Sequence, residues 1–493
     1  MPVAKRNKTT KMMGGSTLTV AVMALFASAV ARETQVNMKL KAELYDSGVR
    51  HGQIMALKNK VWAELDAQGV YDSTQYATFD SGIDYVACKD GVASYVPGNP
   101  KYTFRCSNLD LYDFKTHSEL GSSSGRGAGS WGWTSPEGRE FVAVAQEDGT
   151  SFSEVTKQGK LVYLGRLPQY TTAAASLWRE IKGYKSYIVI GSEAEKHGVQ
   201  IFNLEKLLDI NPAKPVVFSN QHDLDGFWTE GLPVGRSHNV VTNEERNYGV
   251  ATGFQPRNAT LRAGLVFFDL TDPTNPKTLG GTGQDGYVHD AQCIVYRGPD
   301  TKYFGRDICY GYDEDALTIF DVSDKKKIQV ISNTSYDGAS YTHQGWVLDP
   351  LWQQYLILDD EYDEVDEVGL AVDGYPISYI WDISSLESPK QTGYYKGLRR
   401  GIDHNQYVKD GFAYQSNYAL GISILDLRSV PQDPTGKGIK EVAYFDVHPE
   451  DDNAPGGGQV TFTGTWSHYP FFPSGYIVIN TMDRGAFVVK RSV

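Results

Sequence analysis

The chain contains five short phrases that set a histidine in the same surroundings: Ser237-His238-Asn239-Val240, Val288-His289-Asp290-Ala291, Thr342-His343-Gln344-Gly345, Asp403-His404-Asn405-Gln406 and Ser467-His468-Tyr469-Pro470. The intervals between successive histidines are 51, 54, 61 and 64 residues, and a polar turn and an apolar, β-rich run follow each phrase. These five are half of the ten histidines in the chain. A period of this length built from several short strands is typical of the blades of a β-propeller.

A second recurring phrase, apolar residues around an acid or amide, marks the other end of each unit. It occurs at residues 201–204, 267–270, 319–322, 380–383 and 424–427, and residues 152–155 and 486–489 are weaker copies, which makes seven endings. Seven endings predict seven units, and Trp131 and Trp178 then stand where the later units have histidine. We therefore predict an all-β chain, a seven-bladed β-propeller with a short N-terminal helical extension.

The ends of the propeller domain follow from the same pattern. We assign residues 88–493 to the propeller and residues 32–87 to an N-terminal helical cap or stalk, in which Ile54, Leu57, Val61 and Leu65 indicate an amphipathic helix from Arg50 to Ala67. The last unit lacks a fourth strand. We expect residues 108–114 to supply it by pairing beside residues 485–490, because an open edge strand invites mispairing.

The N-terminus has the pattern of a secretory signal at residues 1–31. Basic residues precede an apolar run from Leu18 to Val30, and Ala29-Val30-Ala31 is a small-x-small cleavage site. The alternative is a membrane anchor, but the run is short for a bilayer. We expect an extracellular protein, secreted or associated with the cell surface, with no transmembrane segment in the mature chain.

Charge and cysteine content fit that location. The formal net charge is −13 and would become −17 without the four basic residues of the signal, which argues against nucleic acid and favours an extracellular protein or glycan as partner. The four cysteines, Cys88, Cys106, Cys293 and Cys309, allow three pairings or four free thiols. The local pairing, Cys88–Cys106 and Cys293–Cys309, closes two short loops. Asn258 and Asn333 stand in glycosylation sequons.

Several longer strings resemble a known family. The strings are Val288-His289-Asp290-Ala291-Gln292-Cys293, Tyr341-Thr342-His343-Gln344-Gly345-Trp346, Leu358-Asp359-Asp360-Glu361 and Ile402-Asp403-His404-Asn405-Gln406-Tyr407. Their wording and order are similar to the choice-of-anchor B proteins, β-propellers with LVIVD-type repeats that include the regulatory P domain proteins. The resemblance runs from about Cys88 to the C-terminus. It implies a secreted propeller and implies no activity.

The five histidines, His238, His289, His343, His404 and His468, are candidate ligands of a transition metal, zinc or copper. First strands line the channel of a propeller, so side chains at one repeat position face a common space. Asp290, Asp403 and Glu361 are candidates to orient the imidazoles from behind. Alternatively, each histidine ties its blade to the next through a backbone carbonyl. Trp131 and Trp178 could form an aromatic channel wall or serve as core packing.

The acidic run from Asp359 to Glu367 is a candidate calcium site, although it lacks the spacing of an EF-hand loop and a solvated loop is the simpler interpretation. No nucleophile elbow or phosphate loop is present.

Three functions stay open at this point. The first is a non-catalytic propeller that recognises its partner through a histidine-lined channel face. The second is a metal-dependent hydrolase or lyase acting on extracellular polysaccharide, with His289, His343 and His404 as ligands and Tyr407 or Tyr341 as acid or base. The third is a structural cell-surface protein.

Overall fold

The computed structural model describes residues 33–34, 40–80 and 82–492. Most of its strands form seven sheets with four consecutively hydrogen-bonded antiparallel strands each. The first strands of neighbouring sheets contact one another around the ring, except that the first strand of blade 7 meets blade 6 at its second strand, so that the seven first strands surround one channel. The predicted fold, a seven-bladed β-propeller, is confirmed.

The strands of the first four blades run as follows. Blade 1 contains Gly127–Thr134, Glu140–Gln146, Gly149–Val155 and Leu161–Pro168; blade 2 contains Arg179–Tyr184, Tyr187–Ser192, Val199–Asn203 and Gly226–Trp228; blade 3 contains Asn239–Asn243, Tyr248–Thr252, Leu265–Asp269 and Thr278–Thr282; blade 4 contains Asp290–Val295, Asp307–Tyr312, Leu317–Asp321 and Gln329–Tyr336.

The other three blades complete the ring. Blade 5 contains Thr342–Val347, Tyr355–Asp360, Ile377–Asp382 and Lys390–Lys396; blade 6 contains Gln406–Lys409, Phe412–Ser416, Ile422–Asp426 and Lys440–Phe445; blade 7 contains Thr465–Tyr469, Tyr476–Thr481, Gly485–Arg491 and Leu109–Thr116. Alternate residues of the strands pack between neighbouring blades, as where Trp228 of blade 2 stacks on Phe268 of blade 3 at 4.5 Å between ring centroids.

Short elements decorate this ring. Strands Val92–Ser94 and Thr103–Ser107 extend blade 6 outward, Glu33–Thr34 pairs with the last strand of blade 4, and Val216–Val217 runs parallel to the last strand of blade 1. The helical elements are a π-helix Lys41–Asp46, α-helices Val49–Ala67 and Asp363–Asp366, and 3₁₀ turns Ser73–Gln75, Pro100–Tyr102, Leu204–Leu207 and Gly369–Ala371.

Blade 7 joins the two ends of the propeller sequence. Its fourth strand, Leu109–Thr116, runs antiparallel to Gly485–Arg491, with register from Gly485 opposite Thr116 to Arg491 opposite Leu109. This is the pairing predicted for residues 108–114 and 485–490. The edge of the last sheet is thereby covered by a strand from the start of the propeller.

The helix Val49–Ala67, called here the N-terminal helix, differs from the sequence prediction in the face that it buries. The buried residues are His51, Ile54, Lys58 and Trp62, whereas Leu57 is 38% exposed. Two polar residues are buried because the surface beneath the helix carries carboxylates, which the apolar pattern of the helix does not record.

Two disulfide bonds are present, Cys88–Cys106 and Cys293–Cys309, which is the local pairing. Cys293 and Cys309 stand opposite each other on the first two strands of blade 4. The expected signal sequence at residues 1–31 lies outside the described residues. Within the described part of the chain, no helix has the length and apolar character needed to cross a membrane.

Candidate functional site

Four of the five predicted histidines form a row around one side of the channel. His238, His289, His343 and His404 stand at the starts of the first strands of blades 3 to 6. The ring centroids of successive histidines are 4.2, 4.3 and 4.5 Å apart, and all four side chains are buried. We call these four residues the histidine arc.

Each ring of the arc is fixed through its Nδ1 atom. His289 Nδ1 donates to the backbone carbonyl of His343 at 3.0 Å, and His404 Nδ1 donates to that of Trp466 at 2.7 Å. The other two rings donate to carboxylates, His238 to Glu193 at 2.6 Å and His343 to Asp359 at 3.2 Å. His238, His289 and His404 thus tie their blades to a neighbouring blade, whereas His343 bonds within blade 5. Each ring uses Nδ1 and leaves Nε2 available as a ligand atom, as in metal sites where the second nitrogen is held by an acceptor.

The protonation of the arc suits that role. Burial lowers the pKa of His289 and His343 well below the ordinary value for histidine, and it lowers the pKa of His404 to about 4. These three rings are therefore neutral near pH 7. A neutral imidazole is the form that binds a metal ion.

Glu361 completes a group of three potential metal ligands with His343 and His404. One ligand atom from each of the three residues lies within 4.8 Å of the other two, and all three residues are buried. Glu361 follows the second strand of blade 5. The sequence predicts that Glu361, like Asp290 and Asp403, orients an imidazole from behind. In the structure, Glu361 instead lies at the front, with its carboxylate beside the potential ligand nitrogens of His343 and His404.

Glu361 also accepts hydrogen bonds from protein side chains. Lys58 of the N-terminal helix donates to both of its oxygens, at 2.6 and 2.7 Å, and the Tyr418 hydroxyl donates to Oε1. Burial by itself would raise the pKa of Glu361, but the Lys58 ammonium and the neighbouring His404 lower it. The carboxylate therefore stays ionised and can accept a cation.

Six buried carboxylates surround this part of the channel: Asp359, Asp360, Glu361, Asp363, Glu364 and Asp403. Among the described residues, Lys58 is the only lysine or arginine within ion-pair distance of any of them. Burial raises the pKa of Asp359, Asp363, Glu364 and Asp403 well above the ordinary range. The expectation of a solvated acidic loop is therefore wrong for residues 359–361 and 363–364, which face the interior.

The N-terminal helix lies across the end of the channel at which the histidine arc stands. His51 Nδ1 is 3.0 Å from the Tyr341 hydroxyl and 3.3 Å from Glu314, and the Trp62 ring lies 4.9 Å from that of Trp178. Burial by itself would raise the pKa of Glu193, but the hydrogen bond from His238 lowers it to about 2.

Sequence reasoning missed Lys58, Glu193 and Glu314. Glu193 and Glu314, like Glu361, follow the second strand of a blade, and that repeat position was a usable signal.

His468 lies outside the arc, which corrects its assignment to the ligand set. Its Nδ1 is 2.7 Å from the Ser416 hydroxyl and its ring packs on Tyr407. The backbone carbonyl that receives the Nδ1 hydrogen bond from His404 belongs to Trp466, just as that of His343 receives the bond from His289. Trp466, two residues earlier, thus occupies the arc position in blade 7.

The two aspartates expected behind the arc have other contacts. Asp290 Oδ1 accepts from the Ala291 backbone nitrogen at 2.7 Å. Both carboxylate oxygens of Asp403 are buried without a hydrogen-bond partner among the described residues. The ring of His343 is instead held by Asp359.

The two predicted channel tryptophans stand in different environments. Trp178 packs beneath the N-terminal helix on Trp62, whereas Trp131 lines a pocket that contains no residue of that helix. They therefore do not form one wall. Of the two candidate tyrosines, Tyr341 contacts His51 under the helix, and Tyr407 packs against Trp131 at 5.6 Å. Both sequon residues, Asn258 and Asn333, are exposed.

Comparison with known proteins gives no match. No protein-family model matches the chain, and a search of curated proteins found none that is similar to it. The fold is consistent with a propeller-repeat family, and membership of the choice-of-anchor B family stays a prediction.

Proposed function

We propose that this chain is a secreted recognition propeller whose channel holds one transition-metal ion on His343, His404 and Glu361. The observation that carries the proposal is the convergence of two imidazoles and one carboxylate, with ligand atoms within 4.8 Å of one another, in a buried site. His289 is the neighbouring ring of the arc, 4.3 Å from His343, and can complete the ligand set.

The charge of the surroundings supports a bound cation. Of the six buried carboxyl groups, Glu361 alone pairs with a lysine among the described residues. Burial raises the pKa of Asp359, Asp363, Glu364 and Asp403, so ionising them without a cation nearby is unfavourable. A buried carboxylate without a partner is costly, because the charge loses its hydration. A divalent ion at the three ligands would offset part of that cost.

The ligand types favour a transition metal. Imidazole nitrogen with carboxylate oxygen suits zinc or copper, whereas calcium selects oxygen ligands alone. Calcium therefore fits the acidic residues of this region and does not fit the histidine arc.

The fold is compatible with recognition, and the enclosure of the site argues against catalysis at the ion. A β-propeller fits a binding or recognition role, and the three ligands lie beneath the N-terminal helix with at most 4% of their surface exposed. Hydrolysis or elimination on polysaccharide would require substrate to reach the ion, and the helix stands in the way. Secretion is supported by the N-terminal sequence pattern and by the two disulfides.

Elemental analysis tests the proposal. Protein purified without a histidine tag is expected to carry about one zinc or copper ion per chain. A His343→Ala/His404→Ala variant should lose it while keeping the circular dichroism spectrum of the wild type. The matched control is His222→Ala, at an exposed histidine, which should keep the metal. Metal-free wild-type protein that takes up neither ion, or a double variant that keeps its metal, would refute the proposal.

A further inference from the structure

A second pocket opens where the first strands of several blades end, away from the N-terminal helix. Its volume is about 280 Å³, and its lining includes Trp131, Lys182, Glu244, Gln292 and Trp346. Lys182, Gln292 and Trp346 lie three or four residues after Trp178, His289 and His343 along their strands. Glu244 lies six residues after His238, and Trp131 is the fifth residue of the first strand of blade 1, beyond the position that the sequence pattern assigned to it. The pocket is therefore at the opposite end of the channel from the helix.

Aromatic rings form much of the pocket wall. The indoles of Trp131 and Trp346 meet the Tyr407 ring at 85° and 87°, with centroids 5.6 and 5.2 Å away. Gly183 allows this arrangement, because a Cβ there would lie 2.4 Å from Trp131 Nε1. Neither indole N–H has a hydrogen-bond partner among the described residues, so each is free to donate to a ligand.

Hydrogen-bond donors and acceptors both stand around the aromatic rings of the pocket. Gln292 uses Oε1 to accept from the Val347 nitrogen, and its amide nitrogen has no hydrogen-bond partner in the described chain. Glu244 uses Oε1 to accept a hydrogen bond from the Lys185 backbone N–H, which leaves Oε2 as an acceptor. The pocket thus offers donors and acceptors beside apolar faces.

Lys182 brings a buried ammonium group to the same pocket. It is 6% exposed, and no carboxylate of the described residues lies within 4 Å of it. Burial by itself would lower the pKa of Lys182, but the nearby Tyr407, Asp290 and Glu180 raise it. The Lys182 ammonium is therefore a charged hydrogen-bond donor, and the nearby carboxylates of Glu180 and Asp290 offset its positive charge.

We propose that this pocket binds one neutral pyranose ring, such as the end of an extracellular glycan. Hydroxyl groups of a sugar both donate and accept, which matches the mixed polar groups, and its C–H face packs on indole. The volume lies below the range of drug-sized sites, so it suits a single ring. Glu180, Asp290 and a chain net charge of −13 disfavour an anionic ligand.

Titration calorimetry with methyl pyranosides tests the proposal. The probes are the methyl glycosides of glucose, galactose, mannose and xylose, with glucuronate and benzoate as the charged and the aromatic comparison. At least one neutral glycoside should bind. Trp346→Leu should weaken that binding about tenfold or more through loss of the stacking face, and Gly183→Ala should weaken it by displacing Trp131.

The control is Trp352→Leu, at a tryptophan of the same blade that is 52% exposed and outside the pocket; it should bind the sugar as the wild type does. Thermal unfolding checks that each variant is folded. Binding should persist in EDTA, since the pocket does not depend on the proposed metal. No neutral glycoside bound, preference for glucuronate or benzoate, an unaffected Trp346→Leu variant, or binding abolished by EDTA would each overturn the assignment.

Discussion

Glu361 is the residue for which a metal ion and the N-terminal helix compete. Its two oxygens accept from Lys58 at 2.6 and 2.7 Å, and Oε1 lies 3.7 Å from His404 Nε2. An ion bound by His343 and His404 would need the same carboxylate. The Lys58 ammonium therefore compensates Glu361 in the metal-free chain and opposes the ion when metal is present.

A Lys58→Met variant separates these two effects. Without metal, the variant should be less stable by about 3–5 kcal/mol, because it leaves a buried carboxylate unpaired. With metal, the ion compensates Glu361, so zinc should raise the unfolding temperature of the variant more than that of the wild type. Differential scanning calorimetry with and without zinc measures this. If zinc raised the unfolding temperature of the two proteins equally, Lys58 would not compete with the ion at the proposed site.

His117 carries a prediction on acid stability that is independent of the metal. Its ring is fully buried, and its Nε2 donates to the Thr481 carbonyl at 2.7 Å. Burial lowers its pKa from 6.5 to about 4, although Asp483 and Asp148 act in the opposite direction. Between these pH values the unfolded chain binds this proton and the folded chain does not, so stability decreases as the pH falls from 6.5 to 4.

A His117→Gln variant should lose that part of the pH dependence. The loss of unfolding free energy between pH 7 and pH 4 should be smaller than in the wild type by about 3 kcal/mol. Urea unfolding at both pH values measures it, with His222→Gln at an exposed histidine as the control. Parallel pH curves for His117→Gln and wild type would show that the buried ring does not titrate as described.

Among the elements, the strand Leu109–Thr116 closes the ring, because it supplies the fourth strand of blade 7. Phe114 from this strand is buried and lies 4.4 Å from the Phe487 ring of the C-terminal strand. The bridge Cys88–Cys106 lies just before the strand and contributes about 3 kcal/mol in the loop-entropy model. Strand pairing and packing thus hold the two ends of the propeller together, while the disulfide restrains the segment before the closing strand.

A Phe114→Ala variant tests this closure. It should lower the free energy of unfolding by about 3–5 kcal/mol, since it leaves a cavity at the junction of the first and last parts of the propeller. Urea unfolding is the measurement, and Phe304→Ala, at a phenylalanine that is 62% exposed, is the control. A loss no larger than that of the control would mean that the strand is dispensable for closure.

The N-terminal helix is the element that the sequence described least well. An apolar spacing of three and four residues predicts a helix at the right place, but it selects Leu57, Val61 and Leu65 for burial. The helix buries His51, Lys58 and Trp62 beside the predicted Ile54, because the surface beneath it carries Glu314, Glu361 and Trp178. A pattern of apolar residues cannot identify a face that is buried through ion pairs.

For the whole molecule, the period of the histidine phrases indicated a propeller, the seven unit endings predicted seven blades, and the leftover strand predicted how the ring closes. The arc was predictable for His238, His289, His343 and His404, since one repeat position maps to one height in the channel. The assignment of His468 to the arc was wrong, because Trp466 occupies the arc position in blade 7. The hydrogen bond from His404 to the Trp466 carbonyl shows this equivalence, and the sequence does not reveal it. Five of the six buried carboxyl groups fall in the acidic run that the sequence shows, and the fold adds Asp403 and places the group beside the histidine arc.

The central claim for the molecule is that its ring of blades assembles a metal site from distant residues. The most direct measurement is an anomalous difference map from crystals, recorded at the absorption edge of the metal found by elemental analysis. The account predicts one peak between the imidazoles of His343 and His404 and the Glu361 carboxylate, at about 2.0–2.2 Å from its ligand atoms. No peak in the channel, with Lys58 alone on Glu361, would contradict it.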